Sequence, residues 1–276
     1  MAGSITRPTA GVPRCLSLRR ENRKTVVTLA ELIDAIEAPS RTITVLNRRQ
    51  PDPVYEMVAD FFEPMALEVQ EARLDVDEPA DAVVLHEEGT PIAVSPLPDL
   101  YRSVFGVNVD RYATGTGGLA EMDLPDVVTE LGDVPIPGDA ANKFVLIQVS
   151  RYVEAMAYKT GGGELHAGFQ RLSRLGGERG TRRVYCELGE AGVDVHVYGR
   201  SDRRPSDLPV TVRADASDLR DYWIVAHDGD GNDGWKAALV AEEVAENAYR
   251  GFWTFDPGRV DEVLSSVTGA VPPEEK

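Results

Sequence analysis

Short extended segments alternate with helical ones along this chain, and that alternation constrains the fold more than any single motif. Glu164–Gln170 (ELHAGFQ) sets Leu165, Ala167 and Phe169 against Glu164, His166 and Gly168, and Val193–Tyr198 (VDVHVY) alternates in the same way. A two-residue period marks a strand. Between them, Thr181–Gly189 reads as a helix. Strand, helix, strand predicts a right-handed parallel unit whose strands are neighbours about 4.8 Å apart. An α/β fold follows: a mixed β-sheet with flanking helices.

The same pattern begins at Thr25. Leu29, Leu32, Ile33 and Ile36 fall at helical spacing, with Thr28 as N-cap, Glu31 three residues on and Pro39 as the stop. Arg41–Leu46 is β-branched and reads as a strand, Pro53–Phe62 as a helix, and Leu67–Gln70 as a short strand. Asp81–His86 and Pro91–Val94 form a hairpin, and Pro98–Phe105 a helix. Residues 106–138, with Gly115, Gly117, Gly118, Pro125, Pro135 and Pro137, read as a long connection holding one short helix, Pro125–Leu131. Asp139–Tyr158 is a helix with Phe144, Ile147, Tyr152 and Ala155 towards one face. Asp221–His227 and Trp235–Ala241 repeat the hairpin, Phe252–Phe255 is a further strand, and Pro257–Val267 a closing helix capped by Asp256.

Each half therefore runs helix, strand, helix, strand, then a hairpin, and each hairpin places a histidine (His86, His227) before an acidic turn. This predicts two structurally similar αβαβ-plus-hairpin halves, 25–135 and 136–270, between a leader (1–24) and a tail (271–276). The alternative is a chance likeness of two α/β segments.

Charge narrows the setting. The 276 residues carry 46 Asp plus Glu against 29 Lys plus Arg, a formal charge of -17. Only five of the basic residues are lysines, leaving 24 arginines. Acid excess with arginine replacing lysine points to a cytoplasm at molar salt, where the Debye length of roughly 3 Å screens self-repulsion. An ordinary acidic protein from a GC-rich genome is the alternative. A negative field over the surface argues against nucleic acid as a partner. Arg7, Arg14, Arg19, Arg20, Arg23 and Lys24 make the leader basic, a second basic stretch spans Arg171–Arg183, and a DNA- or partner-touching leader competes with a disordered one or an early start codon. No apolar run approaches the ~18 residues that cross a bilayer, and the leader has no secretory apolar core. Two cysteines, Cys15 and Cys186, are too few for a disulfide framework, so a cytoplasmic location is expected.

The second half resembles the DICT sensory domain family. The residues that carry the likeness are SRYVEAMAYK (Ser150–Lys159), GELHAGFQR (Gly163–Arg171), VDVHVYG (Val193–Gly199), WKAALVAEE (Trp235–Glu243) and GFWTFDPGRVDEVL (Gly251–Leu264). They span about residues 140–268, and the whole chain looks like the free-standing haloarchaeal members. The resemblance implies a cytoplasmic signal-sensing role with output through a separate kinase or transcription regulator. It brings no family-wide ligand.

On one face of the first strand lie Glu164, His166 and Gln170; on one face of the next lie Asp194, His196 and Tyr198. If the strands are neighbours, two histidines and two carboxylates converge at ligand distance, as a divalent metal or an anion-responsive site requires. The competing reading is a polar face without chemistry. Asp228–Gly234 opens like a calcium loop, but its sixth position is Asp233 and its twelfth Leu239, so a hydrated hairpin turn fits better. Gly161–Gly163 follows a helix and precedes a strand, which makes it a helix stop rather than a phosphate cradle. Trp223, Trp235, Trp253, Phe169 and Tyr198 line a pocket or, more simply, fill a core. Cys186 sits inside a helix, and no serine lies in a G-x-S-x-G turn.

The expected function is a non-catalytic sensor that binds a small ligand or protein partner and relays a conformational change. The ligand candidates are His166, Phe169, Gln170, His196, Tyr198 and Trp253, with Glu164, His166, Asp194 and His196 as the metal set. The chain shows no catalytic signature and fixes no cofactor. A metal-dependent enzyme on the histidine and carboxylate residues, or a DNA-associated regulator using the leader, are the alternatives.

Overall fold

The computed structural model describes residues 27–37, 40–65, 67–76, 78–104, 118–139, 143–173, 175, 179–200, 202, 207–214 and 216–270, and every structural statement concerns these. The leader, Pro39, Gly115, Gly117, parts of the Arg171–Arg183 stretch and the tail lie outside the described residues.

Thr28 caps α1 (Leu29–Asp34) with a reciprocal capping box: its hydroxyl accepts from the Glu31 amide, and the Glu31 carboxylate accepts from the Thr28 amide. There follow β1 (Arg41–Leu46), α2 (Asp52–Phe62), β2 (Glu68–Ala72), β3 (Ala82–Glu87), β4 (Thr90–Pro96) and α3 (Leu97–Val104). Glu88 and Gly89 both take positive φ (50° and 78°), the geometry a two-residue hairpin turn needs. These strands form a sheet of order β2-β1-β3-β4, with β1 parallel to β2 and antiparallel to β3.

The chain continues through α4 (Asp126–Thr129), β5 (Ile136–Asp139), α5 (Lys143–Thr160), β6 (Glu164–Arg171), α6 (Arg179–Glu190), β7 (Asp194–Arg200) and β8 (Thr211–Ala214). It ends with β9 (Tyr222–His227), β10 (Ala237–Ala245), β11 (Ala248–Thr254) and α7 (Pro257–Gly269). The second sheet has seven strands in the order β5-β11-β10-β9-β6-β7-β8. Within it, β7-β6-β9-β10 repeats β2-β1-β3-β4: a parallel pair made through a helix, then two antiparallel neighbours.

The repeat is topological, and the two units share one core. Ile43, Val45, Val83 and Leu85 of the small sheet join Leu165, Ala167, Val195, Val197 and Leu239 of the large one around α5. A second cluster covers the other face of the large sheet, where α1 and α7 pack on Ile224, Ala226, Ala238, Val240 and Phe252. The first helix thus covers the second half's sheet. His86 and His227 do not occupy equivalent places. His86 pairs with Thr42, one register step from the core pair Leu85–Ile43, whereas fully buried His227 pairs with the core residue Leu165.

Three local expectations change. The helix expected from Asp139 begins at Lys143, because Asp139 pairs with Tyr249 as the last residue of β5. Its buried residues run nearly all round, from Val145 and Leu146 through Gln148, Val149, Arg151, Val153 and Glu154, because the large sheet packs on it together with α3, α6 and the turn at Leu119–Glu121. Residues 118–138 hold a 3-10 turn at Leu119–Glu121, the short helix α4 and the start of β5, so they are more ordered than a connection.

Candidate functional site

The predicted meeting of the two alternating strands is present. β6 and β7 run parallel with Glu164 opposite Asp194, His166 opposite His196 and Gly168 opposite Tyr198. A parallel, in-register pair puts like positions on one face. That face is the one covered by α1 and α7, since Tyr198 belongs to their cluster and Ala226 is the Cα partner of His166 in β9.

His166 is 3% exposed. Its Nδ1 lies 2.7 Å from the Tyr198 hydroxyl and its Nε2 lies 3.1 Å from Glu164 Oε2. An Nε2–H tautomer donates to the carboxylate and lets Nδ1 accept from the Tyr198 O–H, which satisfies every polar atom of the group. The His196 ring stacks on His166 with centroids 4.9 Å apart, and its Nε2 lies 3.5 Å from Asp194 Oδ2. Burial holds the His166 imidazole below its ordinary value, against the pull of Glu164, and His196 acts in the same sense as burial. Burial pushes the Tyr198 phenol up to about 12, so it stays a neutral hydroxyl.

The strand start that carries Glu164 is fixed by the β9–β10 loop. Asp228 Oδ1 accepts from the Glu164 amide at 3.0 Å and from the Asp230 amide at 3.0 Å, and the Asp228 amide donates to the Glu164 carbonyl. Gly163 has φ of 76°, and a side chain there would collide with Asp228 Oδ1. Gly161, also at positive φ, follows the last residue of α5 as a helix stop. Asp228 and Asn232 spend their side chains on amides of their own loop, which agrees with a hairpin turn rather than a calcium loop.

Other candidates lie elsewhere. Phe169 makes an edge contact with Tyr185 of α6 and packs on the core around α5. Trp253 is fully buried on β11, three strands away from β6, and its Nε1–H points to the Val128 carbonyl at 3.4 Å. Trp223 and Trp235 pack on the same core, whereas Tyr198 is in the opposite cluster, so the five aromatics do not enclose one pocket. Gln170 is buried near the end of β6.

Two features escaped the sequence reading. Arg151 and Glu154, both buried on α5, pair at 2.5 Å, and Arg151 reaches Thr181 Oγ1 at 3.0 Å. An Arg and a Glu three apart, with the apolar Val149, Val153 and Ala155 around them, was the available signal. His227 bridges the Glu164 carbonyl (3.1 Å) and Thr160 Oγ1 (3.4 Å), tying β9 to the end of α5. No helix among the described residues is long and apolar enough to cross a membrane.

No protein-family model and no curated protein matches the sequence. Among solved structures, a polyphosphate kinase from Porphyromonas gingivalis aligns at a TM-score of 0.36 and 9% identity, over 88% of this chain and 48% of that one. The chain spans about half the length of that kinase, and a likeness at this level carries no functional argument.

Proposed function

We propose that this chain is a non-catalytic cytoplasmic sensory domain of the DICT kind, which binds a small ligand or a protein partner and passes a conformational change to a separate output protein. The observation that supports this most is the His166–His196–Tyr198 cluster. A buried imidazole, His166, and a half-buried one, His196, sit behind two carboxylates that reach solvent, with side chains 54% and 63% exposed at Glu164 and Asp194. Both strands lie inside the segment that resembles the sensory family. A ligand drawn in by the carboxylates would meet hydrogen-bonding groups held in place by one another, which suits selective recognition. It shifts conformation only as far as it binds one state better than another.

The test is mass spectrometry of small molecules released on denaturing protein purified in molar KCl, followed by hydrogen exchange with the released compound added back. Slower exchange in β6, β7 and the 228–234 loop is the expected result. Chemical conversion of the compound by the native protein would instead favour a metal-dependent enzyme, the reading that the Glu164, His166 and His196 grouping also fits. If no compound is released and no partner is captured, the sensory reading fails.

A further inference from the structure

We propose that Glu164, His166 and His196 are the ligands of a divalent transition-metal ion of the zinc class, with Asp194 as the fourth donor. The inference rests on the ligand-binding reading above and names the chemistry of the ligand.

Donor placement comes first. One ligand atom from each of Glu164, His166 and His196 lies within 4.8 Å of the others. A tetrahedral ion with bonds of roughly 2.1 Å holds its donors roughly 3.4 Å apart, so side-chain torsions cover the difference. Both imidazoles present Nε2 towards a carboxylate, His166 to Glu164 and His196 to Asp194, and those carboxylates are themselves opposite each other in the strand register. Asp194 stands beside this trio, 3.5 Å from His196 Nε2, and completes the shell by a side-chain rotation.

The support behind the donors comes second. A metal-bound histidine is usually oriented through its other ring nitrogen. Tyr198 holds His166 Nδ1 at 2.7 Å, and Asp228 fixes the backbone of Glu164. On binding, the Nε2 proton leaves to solvent and Nδ1 takes one up to donate to the Tyr198 oxygen, so the ring stays neutral and its lone pair faces the ion.

Charge is the third argument. Like charges facing each other across a strand pair are destabilising. Glu164 and Asp194 face each other in this way, and among the described residues no lysine or arginine forms an ion pair with either. A dication offsets both carboxylates at once. Two imidazoles with one or two carboxylates select zinc, cobalt, nickel or copper over magnesium or calcium, which take oxygen shells.

The experiment is a calorimetric titration of the full chain, carrying no histidine tag, with Zn2+ against a competing chelator in molar KCl. Co2+ absorption provides a second readout of the coordination shell. One equivalent should bind. His166→Ala and His196→Ala should abolish stoichiometric binding. Because His166 is buried and its replacement can unfold the chain, Glu164→Gln on the exposed carboxylate is the companion test, with an affinity loss of at least about 10-fold expected. His86→Ala should bind as the parent does. Absence of stoichiometric binding, or equal binding by all variants, overturns the metal site. If an organic compound is released while zinc fails to bind, the metal is refuted and the sensory reading stands. Bound zinc accompanied by substrate turnover upholds the metal and refutes the sensory reading.

Discussion

His166 and His196 are Cα partners in the parallel register of β6 and β7, and their rings stack with planes 21° from parallel. The Tyr198 ring lies near the same His166 ring, 5.8 Å away and 15° from parallel. It can lean there because its own register partner is Gly168, which has no side chain to stand in the way and is hemmed in by Ile224.

Tyr198→Phe keeps the ring and removes the hydroxyl. The buried Nδ1 of His166 then loses its partner, which costs about 1–3 kcal/mol. Urea unfolding in molar KCl measures this directly. A change within error would mean that water replaces the hydroxyl and that the cluster is less buried than described.

Gly163 and Asp228 should behave as a coupled pair. Gly163→Ala forces a side chain into a left-handed backbone position, at about 1–2 kcal/mol, and drives it into the Asp228 carboxylate. Asp228→Ala loses the bonds to the Glu164 and Asp230 amides but clears that collision. The double variant should therefore be less destabilised than the sum of the two singles. Simple additivity would show that the loop yields without cost.

The Arg151–Glu154 pair should be costly to break and cheap to replace. Glu154→Gln leaves a buried guanidinium without its counter-charge, a loss of about 3–5 kcal/mol, while Arg151→Met with Glu154→Leu should recover most of it. Burial raises the Glu154 carboxyl above its ordinary value of 4.5, against the pull of Arg151. Its stabilising contribution is then complete below 4.5 and is lost as pH rises through the raised value. The stability of the double variant relative to the parent should accordingly grow as pH climbs from about 4.5. A difference that is flat with pH would show that the Glu154 carboxyl titrates alike in the folded and unfolded chain.

Salt should stabilise this protein beyond ordinary solute effects. The formal charge of -17 repels itself across a Debye length of roughly 8 Å at physiological salt and roughly 3 Å at 1 M. The thermal midpoint should rise from roughly 0.15 M to about 2 M KCl, and by more than in sucrose of equal osmolality. Equal gains in the two solutes would attribute the effect to exclusion from the surface and remove the argument from charge.

Local rules carried the sequence reading where partners are close along the chain. Thr28 and Glu31, or Asp256 and Arg259, are three residues apart, and their caps formed as written. The β6–β7 contact was legible because a strand–helix–strand unit has one favoured hand, whereas the common face of His166 and His196 depends on the register of the pair, which alternation within each strand leaves open. The two edge strands of the large sheet were not. Ile136–Asp139 contains Pro137 and Gly138, and Thr211–Ala214 is only four residues long; each is a strand because β11 or β7 offers it an edge. The same ignorance of sheet order placed Trp253 beside residues that lie three strands away. The α5 pattern misled for another reason: a one-sided helix was expected, and this helix is covered at once by the large sheet, α3 and α6.

Asp228 acts as a clasp on the first rung of β6. Through it the β9–β10 loop grips both the amide and the carbonyl of Glu164, while the neighbouring Gly163 carbonyl receives the Asp194 amide. At its far end the same loop is moored to α7, where Lys236 bridges Asp233 and Asp261. The backbone from which the Glu164 carboxylate projects is therefore held from outside its own strand, by a loop that the terminal helix itself anchors.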